Sequence, residues 1–439
     1  MSTPSYVKSA NGTDPRGSDP QVSRTVSQVI ADVAERGDAA VRQYSQMFDD
    51  WSPEEFRLSE EDIDRIVAEV PDQVIDDIKE VQSNVRAFAQ HQRDSLRDFE
   101  VEAAPGVHLG QRNIPVSAAG AYAPGGRYPL VASAHMTAVT AKVAGVPYIT
   151  ACTPPIRGSV PAATVAAFHF AGADAIYLLG GVQAVAAMAL GTETIRKVDM
   201  LAGPGNAYVA EAKRQLFGQV GIDLFAGPTE VLIVADAAAD PFIVAVDLLS
   251  QAEHGPDSPA VLITDSETLA RAVAAHVDDI LPGLPTKDFA EPAWRDHGQI
   301  IVVDDIEAAY ALADTFASEH VQVLTADPRR ALEAMSNYGA LFLGEKTCVS
   351  YGDKVIGTNH TLPTRQSARY TGGLWVGKYL KTVTYQEVSS ADASARLGEL
   401  CGRAARVESF EGHARSGDVR AAKFGSTQLP WTPNYATVH

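Results

Sequence analysis

Apolar positions recur at helical spacing through the first quarter of the chain. In 22–48 and 71–92 they return every three or four residues, a pattern that predicts amphipathic helices. We therefore expect helices to dominate from Val22 to about Arg97. Residues 1–22 are polar and rich in Ser, Pro and Gly, which is typical of an arm that becomes ordered only against another surface.

Beyond about Gly120 the pattern alternates short β-rich runs with helical stretches. Strands separated by roughly 10 to 20 residues of helical pattern indicate βαβ units and mostly parallel sheets. The runs are PYITACTPP, AIYLLGG, VDMLAGPG, EVLIVAD, AVLITDS, QIIVVDD and VQVLTAD. Because they fall into two separated sets, the pattern predicts an α/β protein with two Rossmann-like domains.

The tail after about Val376 has a helical, amphipathic pattern and is too short to bury a good core alone. We expect it to form a small helical domain that packs on another subunit. The predicted organisation is an N-terminal helical arm at 1–22, a first Rossmann-like domain from 23–118 and 230–375, a second from 119–229, and the C-terminal domain at 376–439.

Composition narrows the class of protein. The 439 residues are 46% hydrophobic and 21% charged, which is typical of a globular protein. A formal charge of −19 argues against a nucleic-acid or anionic-membrane surface, so an anionic ligand needs a local cluster of cations. We expect no membrane partner and a cytoplasmic protein, because no signal peptide or run of ~18 apolar residues is found. Cys152, Cys348 and Cys401 lack C-x-x-C spacing and are interpreted as packing residues.

One predicted helix ends with a glutamine and a histidine that could both bind a metal ion. Asp240-Pro241 is a strong helix start and Gly255-Pro256 a strong stop, which places Gln251 and His254 three residues apart on the last turn. His254 alone could simply complement the helix dipole. A zinc site becomes the better hypothesis if further ligands converge on the pair. Candidates in later polar stretches are Glu319 and His320, Asp353 and His360, and Glu408 and His413.

Several longer motifs resemble those of the histidinol dehydrogenase family. They are YAPGG, AKVAG, GGVQAVAAMALG, AGPGNAYVAEAKRQLFG, GIDLFAGPTEVLIVAD, LLSQAEHGPDS, SEH, GALFLG, GDKVIGTNHTLPT and ARYTGGLWVGKYLKT. The resemblance runs from about Gln21 to Arg420. It implies a domain-swapped homodimer with one Zn²⁺ per subunit. The implied ligands are Gln251, His254, Asp353 and, from the partner subunit, His413.

The resemblance also implies the reaction. Enzymes of this family oxidise a primary alcohol through an aldehyde to a carboxylic acid with two molecules of NAD. By similarity, His320 takes the substrate hydroxyl proton and Glu319 activates water, which would make 23–118 with 230–375 the catalytic domain. The domain at 119–229 would bind NAD through Tyr122, Gln183 and Asn206, although GPGNAY matches only two glycines of the usual fingerprint.

The positions at which this sequence differs from the usual family motifs bear on the identity of the substrate. Thr229, His360 and Glu408 keep part of the expected pocket, but ASAHM stands where SSVLM or STVLM is common and brings in His135. Arg127 and Arg365 add cations, which favours an anionic head group unless they face solvent or the NAD phosphates.

The chain therefore most resembles the sulfopropanediol 3-dehydrogenase branch, which oxidises 2,3-dihydroxypropane-1-sulfonate to sulfolactate. Histidinol as substrate is the alternative, and a non-catalytic metal-binding homologue is disfavoured by the presence of both Glu319 and His320. The sequence leaves the enantiomer, NAD versus NADP and the resident metal open.

Overall fold

A computed structural model describes residues 4–11, 19–125, 129–225 and 227–431. Arg127 lies outside these residues. The chain divides into two compact units, 1–93 with 115–379 and 94–114 with 380–439. No helix within the described part of the chain is both long enough and apolar enough to cross a bilayer.

The chain forms alternating strands and helices over most of its length. The strands are β1 (Ser5–Lys8), β2 (Phe99–Ala104), β3 (Val107–Pro115), β4 (Ala119–Tyr122), β5 (Ile149–Thr153), β6 (Ala175–Leu178), β7 (Met200–Ala202), β8 (Gly221–Ile222), β9 (Val231–Ala235), β10 (Ala260–Thr264), β11 (Gly298–Val302), β12 (His320–Leu324), β13 (Ala340–Leu343) and β14 (Leu380–Val388). The helices are α1 (Pro20–Arg36), α2 (Asp38–Asp49), α3 (Glu60–Ala68), α4 (Asp72–Asp94), α5 (Val131–Ala134), α6 (Thr140–Ala144), α7 (Ala162–Ala171), α8 (Gly181–Leu190), α9 (Ala207–Leu216), α10 (Pro241–Ala252), α11 (Glu267–Ile280), α12 (Lys287–His297), α13 (Ile306–Phe316), α14 (Ala331–Ala334), α15 (Val349–Lys354), α16 (Ala391–Val407) and α17 (Glu411–Phe424).

A five-stranded parallel sheet has the order β6-β5-β4-β7-β8. The first two helices pack on its helical layer, where the stripe Val22, Val26, Val29 and Val33 is buried among residues of α8 and α9. The predicted domain boundaries grouped these helices with 230–375 instead. The stripe was visible in the sequence, but the surface that covers it was not, because helical periodicity does not identify the packing partner.

A six-stranded sheet has the order β1-β11-β10-β9-β12-β13. Its last five strands are parallel, and β9, β10 and β12 are buried along their whole length, as expected of continuous apolar runs covered on both faces. The N-terminal arm contributes β1, which pairs antiparallel with β11 at the sheet edge. The α/β architecture with two sheets, predicted from the sequence, is confirmed.

The second unit combines a small sheet with two helices. Its three strands have the order β14-β3-β2, and α16 packs on α17. The helices approach closely because Gly398 and Gly417 face each other: a Cβ on either would lie 2.5 Å from the carbonyl oxygen of the other. The purely helical tail predicted from the sequence is wrong for 380–388. There TVTYQEV is rich in β-branched and aromatic residues, a composition that favours a strand.

Candidate active site

The predicted catalytic residues lie at the amino edge of the six-stranded sheet. Glu319 precedes β12, and His320 is its first residue. Helices α10 and α15 each follow a parallel strand and return toward this edge, so Gln251 and His254 at the end of α10 meet Asp353 near the end of α15. The βαβ connections thus bring together residues that are about 100 positions apart in sequence.

A cavity of about 330 Å³ opens at this edge, a size that suits a small substrate. Six of the predicted site residues line it, together with a loop and the short helix α5. The described lining residues are Pro129, Leu130, Val131, Ala132, Ser133, Pro204, Gly205, Gly227, Thr229, His254, Glu319, His320, Asp353, Lys354, His360, Thr361 and Leu362.

Backbone contacts fix the tautomer of His320. Its Nδ1 lies 3.1 Å from the carbonyl oxygen of Glu230, which can only accept, so Nδ1 carries the proton. The Nε2 atom of a neutral ring is therefore left with its lone pair, 3.4 Å from Asp353 Oδ1. Glu319 Oε2 accepts a hydrogen bond of 3.0 Å from the backbone N–H of Glu230 and lies 3.5 Å from His320 Nδ1. Both side chains are almost completely buried.

The environment shifts the pKa of each group. Burial raises the pKa of Glu319 to about 8, with the neighbouring His320 acting in the opposite sense. Burial by itself lowers the pKa of His320, but the charges of Glu319 and Asp353 outweigh this and raise the pKa to about 9. Burial likewise opposes the influence of His320 on Asp353, where contact with the ring lowers the pKa of the carboxyl group. A buried acid and a buried base in contact are suited to moving protons.

Three of the four predicted zinc ligands converge. Gln251 Nε2 is 3.4 Å and His254 Nε2 is 3.8 Å from Asp353 Oδ2. Gln251 Oε1 is buried and has no hydrogen-bond partner among the described residues. Burial lowers the pKa of His254, which favours the neutral imidazole that binds metals.

These donors fit a metal ion. A buried carbonyl oxygen without a partner costs free energy, and a cation would satisfy it. An amide oxygen, an imidazole and a carboxylate are ligand types that zinc accepts in open sites. Among the described residues no group of three or more His, Cys, Asp or Glu side chains is arranged to hold a metal. The donors that converge here are two such side chains and an amide.

The carboxyl edge of the five-stranded sheet contains a topological switch point. Strand order reverses between β4 and β7, and ligands of open α/β sheets bind at such a switch point. Tyr122 ends β4 and accepts a hydrogen bond of 3.0 Å from Gly181 N at the start of α8. Asn206 caps α9 after β7, and Gln183 donates a hydrogen bond of 2.9 Å to Asp49. The three predicted NAD-binding residues therefore belong to one edge of one sheet.

The predicted substrate residues divide into separate groups. Thr229 and His360 line the cavity, and His360 Nδ1 donates to the carbonyl oxygen of Asp353 at 2.8 Å. Arg365 is not a lining residue: its backbone N–H donates to Glu230, and its side chain packs across Gly227, where a Cβ would lie 2.4 Å from the guanidinium Nε.

His135 occupies a site that does not suit an anion contact. The amide Nε2 of Gln82 donates both to the carbonyl oxygen of Ala167 at 2.7 Å and to His135 Nδ1 at 3.1 Å, so this ring nitrogen carries no proton. Burial lowers the pKa of His135 to about 4, which keeps the ring neutral.

Glu408 and His413 belong to the second unit. Glu408 follows the end of α16, and His413 lies in the first turn of α17, with both side chains exposed. Their assignment to the substrate and zinc sites stays a prediction.

Three polar residues of the cavity were missed by sequence reasoning, and one of them, Thr361, directly follows the predicted His360. Ser133 lies inside the ASAHM motif that drew attention to its neighbours, and Lys354 directly follows Asp353 in YGDKVIG. Adjacency to a predicted ligand was the available signal for Lys354. It was overlooked because a lysine at a helix end is usually interpreted as solvated.

The comparisons with known proteins identify the family. A model described as histidinol dehydrogenase matches residues 13–421. The chain is 58% identical over 421 residues to a histidinol dehydrogenase homolog of Shouchella clausii (strain KSM-K16), covering 96% of this chain and 99% of that protein. It is 48% identical over 422 residues to a sulfopropanediol 3-dehydrogenase of Ruegeria pomeroyi, covering 95% and 96%. The crystal structure of histidinol dehydrogenase from Elizabethkingia anophelis superposes with a TM-score of 0.88 at 34% identity, covering 94% of both chains. The chain belongs to the histidinol dehydrogenase family.

Proposed function

We propose that this protein is a zinc- and NAD-dependent dehydrogenase that oxidises 2,3-dihydroxypropane-1-sulfonate, through the aldehyde, to sulfolactate. The observation that carries the proposal is that Glu319, His320, His254 and Asp353 line one cavity, with Gln251 in contact with Asp353. Similarity to the sulfopropanediol 3-dehydrogenase supports the choice of substrate. The proposed enzyme is a homodimer with a swapped C-terminal domain.

In the first oxidation His320 acts as the base. Because the pKa of His320 is raised to about 9, the ring first loses its Nε2 proton; the neutral ring then accepts the proton of the primary hydroxyl while the hydrogen on the same carbon leaves as hydride to NAD. The hydrogen bond from Nδ1 to the carbonyl oxygen of Glu230 holds the ring in the required tautomer. Burial of the pair keeps bulk water away from the reacting carbon.

In the second oxidation Glu319 acts on water. The aldehyde must gain a water molecule before a second hydride can leave, and a carboxylate with a raised pKa is a stronger base for the attacking water than an ordinary one. The backbone N–H of Glu230 holds Oε2 in place. The second hydride then leaves from the hydrated aldehyde, so the two oxidations together give two NADH for each alcohol.

The metal would be held by Gln251, His254 and Asp353, with His413 of the partner subunit as the fourth ligand. When bound, zinc supplies a Lewis acid that orients oxygen atoms of the substrate. Tyr122, Gln183 and Asn206 are the proposed contacts to NAD at the other sheet.

NADH formation at stoichiometric enzyme and limiting substrate tests the proposed function. The sulfonate diol should yield two NADH per molecule with a kcat/KM well above that of L-histidinol. A higher kcat/KM for histidinol would replace the proposed substrate, and no turnover of either alcohol by the zinc-loaded protein would contradict the proposed reaction.

A further inference from the structure

Lys354 is the only lysine or arginine among the described residues that line the cavity. It is the last residue of α15 and directly follows the proposed ligand Asp353. His360, Thr361, Glu319 and His320 line the same cavity. The lysine therefore belongs to the chamber in which the chemistry is proposed to occur.

Within the described parts of the chain, the Lys354 ammonium group makes no hydrogen bond and no ion pair. A cation at this place opposes the binding of a metal ion to the adjacent donors. That cost is offset if an anion also enters the cavity.

The other candidate cations that the structure describes are less suited to this role. Arg365 packs across Gly227 and lies outside the lining, and His135 is neutral and faces Gln82. A chain with a net charge of −19 repels anions on average, so it needs a local positive group to hold one. Lys354 supplies that group at the cavity wall.

We infer that Lys354 binds the sulfonate of the substrate and thereby selects an anionic alcohol. The inference rests on the proposed function and adds the residue that sets substrate class. An ammonium group has three donors on a flexible stem and can follow the oxygens of a tetrahedral anion. The alternative is that Lys354 only complements the end of α15, in which case its charge would not distinguish one substrate from another.

The test compares an anionic and a neutral substrate of the same shape. 2,3-dihydroxypropane-1-sulfonate and 1,2-butanediol share the reacting diol, and the second replaces the sulfonate by a methyl group. Kinetics are measured on zinc-loaded wild type, Lys354→Met and Lys354→Arg. Lys346→Met serves as the matched control, since Lys346 is exposed and lies outside the described cavity lining. Thermal unfolding and zinc content show whether each variant is intact.

The expected result is a change in selectivity. The ratio of kcat/KM for the sulfonate over the neutral diol should fall about 10- to 200-fold in Lys354→Met, the range for a lost hydrogen bond to a charged group. Lys354→Arg should keep most of the ratio, and Lys346→Met should keep all of it.

The experiment distinguishes failure of the role of Lys354 from failure of the proposed function. If wild type oxidises the sulfonate diol but Lys354→Met keeps the wild-type ratio, the role of Lys354 is overturned and the proposed function stands. If wild type prefers L-histidinol and rejects the sulfonate diol, both are overturned, because a pocket for a cationic substrate does not use an anion-binding lysine.

Discussion

Lys213 and Asp223 form a buried ion pair that binds both backbone polar groups of Gly203. Lys213 Nζ donates to the Gly203 carbonyl oxygen at 2.8 Å, and Asp223 Oδ2 accepts from the Gly203 N–H at 2.7 Å. Gly203 has a φ of +131°, and a Cβ there would lie 2.0 Å from the carbonyl oxygen of Tyr122. The pair therefore fixes the loop that follows β7, where Asn206 is proposed to meet NAD.

We expect Lys213→Met to destabilise the protein by about 3–5 kcal/mol, because it leaves the Asp223 carboxylate buried without its partner. The KM for NAD should rise as well, since the loop loses one of its two anchors. Urea unfolding and initial rates at varied NAD give both quantities. Lys287→Met, at an exposed lysine, is the control, and a loss of less than 1 kcal/mol in Lys213→Met would contradict the structural role.

A second ion pair predicts a pH dependence of stability. Glu211 accepts hydrogen bonds of 2.7 Å from two nitrogens of Arg214 and one of 2.8 Å from Gln215. The contact with Arg214 lowers the pKa of Glu211 to about 2, although burial opposes it. Because this pKa is lower in the folded than in the unfolded state, the stabilisation is complete above about pH 5 and declines as the pH falls toward 2.

We therefore expect Glu211→Gln to be less stable than wild type by about 1.5–3 kcal/mol at pH 7, the range for a hydrogen bond between charged groups. The difference should be smaller at pH 4. Urea unfolding at both pH values measures it. A difference that is equal or larger at pH 4 would show that charge on Glu211 is not what stabilises the contact.

Local signals explain what could be predicted. The seven predicted runs, which are mostly apolar, form β5 to β7 and β9 to β12. Gln251 and His254 were placed correctly at a helix end because Asp240-Pro241 and Gly255-Pro256 mark both ends of α10. Such signals depend on neighbours in the chain, so a sequence displays them directly.

Tertiary contacts explain what could not be predicted. His135 was proposed as an anion contact from its place in a motif, but burial keeps the ring neutral and its Nδ1 accepts from Gln82, which is 53 positions away. Lys354 was overlooked because nothing in the sequence shows which residues share a cavity. The strand at 380–388 was read as helix because a single run of strand-favouring residues beside helical segments is ambiguous.

The unpartnered amide oxygen of Gln251 predicts how metal binding and stability are linked. In metal-free protein, Gln251→Leu should be as stable as wild type or more stable, because it removes a buried oxygen that lacks a partner. With zinc, wild type should gain stability and the variant should gain little, since only binding to the folded state stabilises it. Thermal unfolding with zinc and with a chelator measures both effects.

His254→Ala provides the second arm of the same test. It should lose zinc while staying folded, and its turnover should disappear with the metal. Full turnover in protein shown to be free of metal would contradict the assignment of these ligands. Equal zinc stabilisation of wild type and Gln251→Leu would remove Gln251 from the ligand set.

Replacing Glu319 should separate the two oxidations. Glu319→Gln keeps the shape and can still accept the hydrogen bond from Glu230 N through its amide oxygen, but it cannot take a proton from water. Oxidation of the aldehyde should fall by about 10² to 10⁴, the usual contribution of a general base, while the first hydride transfer from the alcohol suffers less. Single-turnover NADH formation from the alcohol and from the aldehyde, measured separately, gives the two losses, and Glu55→Gln at the surface is the matched control.

Because His320 keeps its own contact with the Glu230 carbonyl oxygen, its tautomer should survive the substitution. Equal losses in both steps would mean that Glu319 serves the alcohol proton as well, and the division of roles between Glu319 and His320 would then be wrong.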